Sequence, residues 1–199
     1  MADFSRFMRH ILPHALNCPE PAAYQYLRDA AIEFCKRTRA WRYTCRINVQ
    51  VGGTIVLAVP EGATLFEVDK AMFDRFPLER VSYNDIDFTR DPGGARFFAV
   101  EPDNRVIVSP EQDGVLTVVM YLVPSQDTEE LPDFMLEDHG KYLGAGALKD
   151  LLMLPNQPYT NPQNAGMFSI MFEQHLNSNF ALQKRGKQRA AIRTKPSWF

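Results

Sequence analysis

Two histidines near the N-terminus have a spacing that metal ligands use. His10 and His14 lie four residues apart, so one helix would present both rings on the same face, and a zinc site could also use Cys18. Pro13 lies between the histidines and disturbs such a helix, because proline removes a backbone donor. No matching pair of cysteines or carboxylates lies nearby in the sequence. We therefore predict no metal site and no cofactor.

Two acidic pairs and a glycine-rich stretch are the other candidates for chemistry. Glu129–Glu130 and Glu137–Asp138 flank the start of a predicted helix, where acids favour the helix dipole and face water. Gly-Ala-Gly-Ala at 144–147 lies within a helical pattern, so close helix packing explains it better than phosphate binding. The sequence also contains no G-x-S-x-G, no H-E-x-x-H and no Walker-type loop. We predict no catalytic residues and a protein that is not an enzyme.

The C-terminus carries chemistry suited to binding. Six Lys and Arg residues lie in 184–199, no Asp or Glu follows Glu173, and the chain ends on Trp198 and Phe199. The whole chain has a net charge of −2, from 22 basic and 24 acidic residues, so residues 1–183 hold 16 basic residues against all 24 acidic ones. An acidic body thus carries a basic, aromatic tail.

Composition limits the class of protein. A chain of 199 residues suits one domain, or one domain with an insertion, and its 45% hydrophobic and 23% charged residues are ordinary for a globular protein. It has no apolar run of about 18 residues, so we expect no transmembrane helix. Charges are scattered through the N-terminus, which has no apolar h-region, so we expect no signal peptide. Cys18, Cys35 and Cys45 are odd in number and irregularly spaced, which indicates buried, reduced thiols in a cytoplasmic setting.

The first forty residues have helical periodicity. Phe4, Phe7 and Ile11 recur at spacings of three and four, in a short segment that Pro13 ends. After a break at Asn-Cys-Pro-Glu-Pro, an apolar stripe predicts a helix over about residues 20–40. The stripe consists of Ala23, Leu27, Ala30, Ala31 and Phe34.

Residues 41–124 have the alternation of strands. Two alternating segments, 44–51 and 54–60, flank Gly52–Gly53, which predicts a hairpin between them. Residues 82–90 fit a strand or irregular structure, and three further strands follow, separated by Glu-Pro-Asp-Asn and Glu-Gln-Asp-Gly turns. Short polar turns favour an antiparallel sheet or small sandwich over a parallel α/β fold.

Helical periodicity returns after residue 130. A first helix carries Leu136, Leu143, Ala147, Leu151 and Leu154. A Pro-rich connection precedes a second helix at about 162–185, with Gly186 placed as a C-cap. The apolar stripe of this second helix consists of Ala165, Phe168, Phe172 and Leu176.

These elements predict an α+β fold. An antiparallel helical bundle, formed by the N- and C-terminal helices, is interrupted by an antiparallel β insertion and followed by an extended C-terminal tail. The expected segments are the N-terminal helices at 1–40, the β insertion at 41–124, the C-terminal helix pair at 125–185 and the extended basic tail at 186–199.

Two stretches, 11–42 and 131–176, carry motifs with a shared order and spacing. The first has Cys-Pro-x-Pro, then Leu-Arg-x-Ala-Ala-x-x-Phe-Cys in a helix that ends near Trp41. The second has Leu-Pro-Asp, a Gly-Ala before Leu148, a Leu-Pro stop, and Asn-Pro with a following Ala before Phe172. In these motifs the chain resembles the head-to-tail adaptor proteins of tailed bacteriophages, also called connector or head-completion proteins.

The resemblance implies a structural virion protein located at the head–tail interface and assembled in the host cytoplasm. Such adaptors form a ring, usually a homo-dodecamer, under the portal protein; the ring extends the DNA channel and gives a platform to a downstream tail or nozzle protein. Packaged DNA would pass through without sequence-specific binding. The C-terminal tail would reach into grooves between portal subunits, with Arg189, Arg193, Lys195, Trp198 and Phe199 as the portal-binding residues.

One alternative follows from the tail alone. A basic, aromatic segment can bind nucleic acid, because its rings stack on bases while Lys and Arg contact phosphates. The two functions differ in salt dependence: nucleic-acid binding weakens steeply with salt, and a protein interface anchored by aromatic rings weakens less.

Overall fold

The computed structural model describes residues 1–51, 54–82, 95–101, 103–109 and 113–180. Within them, residues 1–40 and 123–180 form one unit, which we call the helical unit. Trp41–Leu122 form a second, which we call the sheet unit.

The N-terminus of the helical unit begins with a short strand rather than a helix. Strand β1 (Ala2–Asp3) pairs antiparallel with β9 (Glu130–Leu131), and a 3-10 helix, Phe4–His10, follows it. The Asp3 carboxylate accepts a hydrogen bond from the Ser5 amide at 2.7 Å and so caps that helix. The predicted apolar side chains of this segment are buried: Phe4, Phe7 and Ile11.

Helix α1 (Glu20–Thr38) confirms the helix predicted over 20–40. Pro21 lies in its first turn, where a missing amide donor costs nothing. Arg39 ends the helix in the left-handed conformation, with φ of 54°, and its amide donates to the Cys35 carbonyl. All members of the predicted apolar stripe are buried: Ala23, Leu27, Ala30, Ala31 and Phe34.

Helix α2 (Asp133–Leu151) packs against α1, against α3 (Pro162–Asn179) and against the 3-10 helix. Two of its glycines allow these contacts. A Cβ at Gly146 would lie 2.8 Å from the Cβ of Ala30 in α1 and 2.9 Å from the Phe172 ring in α3. A Cβ at Gly144 would lie 2.7 Å from the Cβ of His10. Close helix packing therefore explains the Gly-Ala-Gly-Ala motif, as predicted.

The sheet unit holds a seven-stranded, nearly closed, barrel-like sheet with the order β2-β8-β4-β5-β6-β7-β3. Its buried side chains include Val68, Phe73, Phe98, Leu116 and Met120. The strands are β2 (Trp41–Val49), β3 (Ile55–Val56), β4 (Ala63–Phe73), β5 (Phe76–Arg80), β6 (Phe97–Val100), β7 (Arg105–Ser109) and β8 (Gly114–Pro124).

The hairpin predicted between 44–51 and 54–60 is wrong. Strand β2 pairs with β8 along its whole length, from Trp41 opposite Leu122 to Val49 opposite Gly114, and β3 pairs with β7. The glycine pair suggested a local turn, but β2 and β8 are long and form more cross-strand pairs with each other than the two-residue β3 could offer.

The predicted fold class is also wrong. The protein is mixed α/β, with the seven-stranded sheet dominating, and is not an antiparallel helical bundle with a β insertion. The sheet is not wholly antiparallel either, because β5 and β6 pair in parallel, with Glu79 opposite Phe97 and Arg80 opposite Phe98. A parallel pair needs a long crossover, and the chain between these strands, from residue 80 to 97, is long enough to supply one.

Several predicted features lie outside the described residues. They are the glycine turn at 52–53, most of the segment at 82–90, the C-cap predicted at Gly186, and the tail at 186–199. The second C-terminal helix, predicted to reach about residue 185, ends earlier, at Asn179. The four predicted segments, 1–40, 41–124, 125–185 and 186–199, stay predictions.

The same substitution at two helical glycines tests the packing of α2. Gly146→Ala should lower the free energy of unfolding by about 1–2 kcal/mol, because the new methyl group overpacks the contact with Ala30 and Phe172. Gly166→Ala in α3 should raise it by roughly 0.5–1 kcal/mol, because no atom lies within 4 Å of the new Cβ and alanine favours the helix. Chemical denaturation measures both; shifts of the same sign and size would contradict the packing.

Candidate functional site

The three residues considered as zinc ligands, His10, His14 and Cys18, each contact different neighbouring residues. The His10 ring packs against Gly140 of α2, and its Nε2 accepts a hydrogen bond from the Arg9 side chain at 3.1 Å. The Cβ and backbone of His10 lie against Gly144. Partial burial, followed by the nearby charges of Arg9 and Lys141, lowers the pKa of His10.

His14 and Cys18 lie in other surroundings. The His14 ring meets the edge of Phe168 at 5.0 Å between centroids, and the Cys18 thiol is buried and donates to the Pro19 carbonyl at 3.4 Å. In the described parts of the chain, no three His, Cys, Asp or Glu side chains are grouped so that they could hold a metal ion. All three cysteines are free and buried, as predicted.

The predicted acidic pairs face solvent. Glu129, Glu130, Glu137 and Asp138 are all exposed. Their exposure agrees with the prediction that they interact with water rather than form a catalytic pair.

A cleft of about 420 Å³ lies on the helical unit, between α1 and the segment before β9. Its lining includes Tyr24, Arg28, Asp29 and Glu129. The Arg28 Nε donates to the Thr128 carbonyl at 2.9 Å, which fixes the guanidinium at the cleft. Desolvation, followed by neighbouring carboxylates, raises the pKa of Tyr24 and keeps its phenol protonated. The cleft therefore offers hydrogen-bonding groups of both charge signs.

All five predicted portal-binding residues lie outside the described residues. The described chain ends at Phe180, one residue after α3. The five are Arg189, Arg193, Lys195, Trp198 and Phe199.

One face of α3 is exposed and nearly without charge. Met167 and Ile170 are 66% and 61% exposed, and Glu173 is the one Asp, Glu, Lys or Arg in the helix. Water-facing helices of soluble proteins normally carry charged side chains on their outer face. Interface cores are depleted in charge, so this face has the composition of a contact surface. Sequence reasoning used the inner stripe of α3 and missed its uncharged opposite side, which the same periodicity reveals.

Ion pairs fix α3 and α2 to α1. Arg37 of α1 contacts Glu173 of α3 at 2.7 Å, and Lys149 of α2 contacts Glu33 of α1 at 2.6 Å. The hydrogen bond from Arg37 holds the pKa of Glu173 below its usual range. The Lys149 ammonium also lies 5.1 Å from the centre of the Phe172 ring, within the range of a cation–π contact.

A second contact anchors the last turns of α3. His139 of α2 and His175 of α3 are hydrogen-bonded, and the Tyr142 ring stacks on His175 at 3.7 Å between centroids. Sequence reasoning did not single out these residues, because His139 and His175 are far apart in the chain and no local pattern links them.

The chain matches the model of a known protein family. A family model described as SU10 adaptor protein matches residues 3–195, which include the described parts of both units and reach into the basic tail. No curated protein matches the chain. Among the helices that the structure describes, none combines the length and apolar character that crossing a membrane requires. The match covers nearly the whole sequence and confirms the resemblance drawn from its motifs: the chain belongs to the SU10 adaptor protein family, a family of structural adaptors of phage.

Proposed function

We propose that this protein is a head-to-tail adaptor that forms a ring of twelve copies under the portal, extends the DNA channel and provides the platform for tail attachment. The observation that carries the proposal is the family match over residues 3–195. The match includes Arg189, Arg193 and Lys195 and stops before Trp198. A structural adaptor family also supports a role without catalysis.

The tail is the proposed portal anchor. Ordering a segment on a partner costs about 1–2 kcal/mol of backbone entropy for each residue fixed, so the contacts must be strong. Burial of Trp198 and Phe199 supplies a few kcal/mol, and Arg189 and Arg193 can form forked pairs with carboxylates in the portal grooves. Twelve tails acting together multiply a modest individual affinity.

The acidic body is compatible with a DNA channel. Residues 1–183 hold 16 basic and 24 acidic side chains, so the body as a whole does not attract phosphates. DNA can then slide past without being held.

The two units offer separate surfaces for the other partners. On the helical unit, the uncharged outer face of α3 supports contact with protein rather than bulk water. On the sheet unit, Phe76 is 72% exposed where β5 begins, after a turn in which Asp74 and Arg75 both have positive φ. We propose the sheet unit and its loops as the surface for the downstream tail protein, since loops can vary in sequence without loss of the fold.

Substitution of the two terminal rings tests the anchor. The double variant Trp198→Ala with Phe199→Ala should weaken portal binding on the order of 100-fold or more per copy, because it removes two aromatic anchors. Thr194→Ala, a matched change in the same segment, should alter binding less than about threefold. Surface plasmon resonance on immobilised portal rings measures both. Equal affinity of the double variant and the unchanged protein would show that the two aromatic rings do not anchor the tail to the portal.

Truncation separates portal docking from nucleic-acid binding. A chain ending at Gln183 should fail to form a second ring on portal rings, as seen by negative-stain imaging and sedimentation, whereas the full chain forms one. Binding of the full chain to single-stranded DNA should be weak, and binding to the portal should persist between 50 and 200 mM salt, over which a phosphate-driven interaction falls by about 10³–10⁵. Tight, salt-sensitive DNA binding without portal docking would favour the nucleic-acid alternative.

A further inference from the structure

Two histidines in the helical unit share a short contact away from the predicted site. His139 Nδ1 on α2 and His175 Nε2 on α3 are 3.0 Å apart, which is hydrogen-bond distance. The His139 side chain is buried and His175 is half-buried. The pair lies one turn before the end of α3, and the tail follows that end.

Aromatic rings enclose the pair on several sides. The Tyr142 ring stacks on His175 with an interplanar angle of 4°, and Phe34 of α1 lies 4.7 Å from His139 and 5.8 Å from His175 between ring centroids. On α3, the Asn179 side chain donates to the His175 carbonyl at 2.8 Å. Three helices therefore meet at these two imidazoles.

The hydrogen bond requires at least one of the two rings to be neutral. One ring nitrogen carries a proton and donates, and the other ring accepts through its lone pair. Protonation of both rings removes the last lone pair and directs two N–H groups at each other across 3.0 Å. Burial, followed by the neighbouring His139, lowers the pKa of His175 to about 4.

The charged groups on the surrounding helices are paired with one another or exposed. Arg37 of α1 forms ion pairs with Glu33 of α1 and Glu173 of α3. Glu33 also forms an ion pair with Lys149 of α2. On α2, Asp138 and Lys141 flank His139 in sequence, carry opposite charges and are exposed. A charge on His139, when that ring is protonated, disfavours a second charge on His175.

We propose that the His139–His175 pair is an acid-sensitive clasp, which holds the last turns of α3 on α2 in neutral solution and releases them when the pair is protonated. The clasp is a property of the fold and stands whether or not the tail binds a portal.

The direction of the pH effect follows from linkage. The pKa of His175 is about 4 in the folded chain, against an ordinary value of 6.5, so the unfolded or opened state binds the proton more readily. The clasp's contribution is complete above pH 6.5 and is lost progressively as the pH falls from 6.5 to about 4.

NMR titration and hydrogen exchange of the full chain test the clasp. His175 should titrate near pH 4, and protection of the amides of residues 173–179, corrected for intrinsic exchange, should fall at least tenfold between pH 7 and pH 4.5. Amides in the middle of α1 should change much less over this range. A His175 that titrates near 6.5 would overturn the proposal without any variant.

Variants separate the clasp from other acid effects. His175→Phe keeps a ring against Tyr142 and cannot titrate, so it should abolish the acid-induced opening. His14→Gln, a matched change at a histidine that contacts Phe168 instead, should leave the opening unchanged. Glu173→Gln removes the ion pair with Arg37 and should also leave the acid response. Retention of the opening with the same midpoint in His175→Phe would overturn the clasp.

Discussion

The helical unit depends on how closely three elements approach α2. At Gly144 and Gly146 no side chain separates α2 from the 3-10 helix, α1 and α3, and a single methyl group at either position would collide with a neighbour. Since protein interiors are close-packed, such contacts leave little freedom in how the helices are arranged. The position of α3 is fixed by this packing first, and the ion pairs of Arg37 and Lys149 reinforce it.

The sheet unit depends on a different constraint, the long ladder between β2 and β8. Its register brings Trp41 opposite Leu122, so the first and last residues of the unit are paired. The remaining strands extend from β8 through β4 towards the opposite edge at β3 and form a barrel-like sheet.

Local patterns predicted local structure, and contacts between distant residues were not accessible to them. The apolar stripes predicted α1 and the helices around Leu143 and Phe172, because a helical period of 3.6 residues can be recognised from residues that are close in sequence. The glycine pair at 52–53 predicted a hairpin that does not exist, because pairing of β2 with β8 is decided by side chains far apart in the chain. The parallel pairing of β5 with β6 and the dominance of the sheet were missed for the same reason. The motifs identified the family, but the clasp at His175 left no signal in the sequence.

The family match supports an assembly role for the protein, and the charge distribution along the sequence is compatible with our proposal that the basic tail binds a partner. Reconstruction of the head–tail junction by electron cryomicroscopy tests this account most directly. We expect a ring of twelve copies between the portal and the downstream tail protein, with density for Trp198 and Phe199 in each groove between portal subunits. A junction without this protein, or a ring whose tails lie away from the portal, would contradict it.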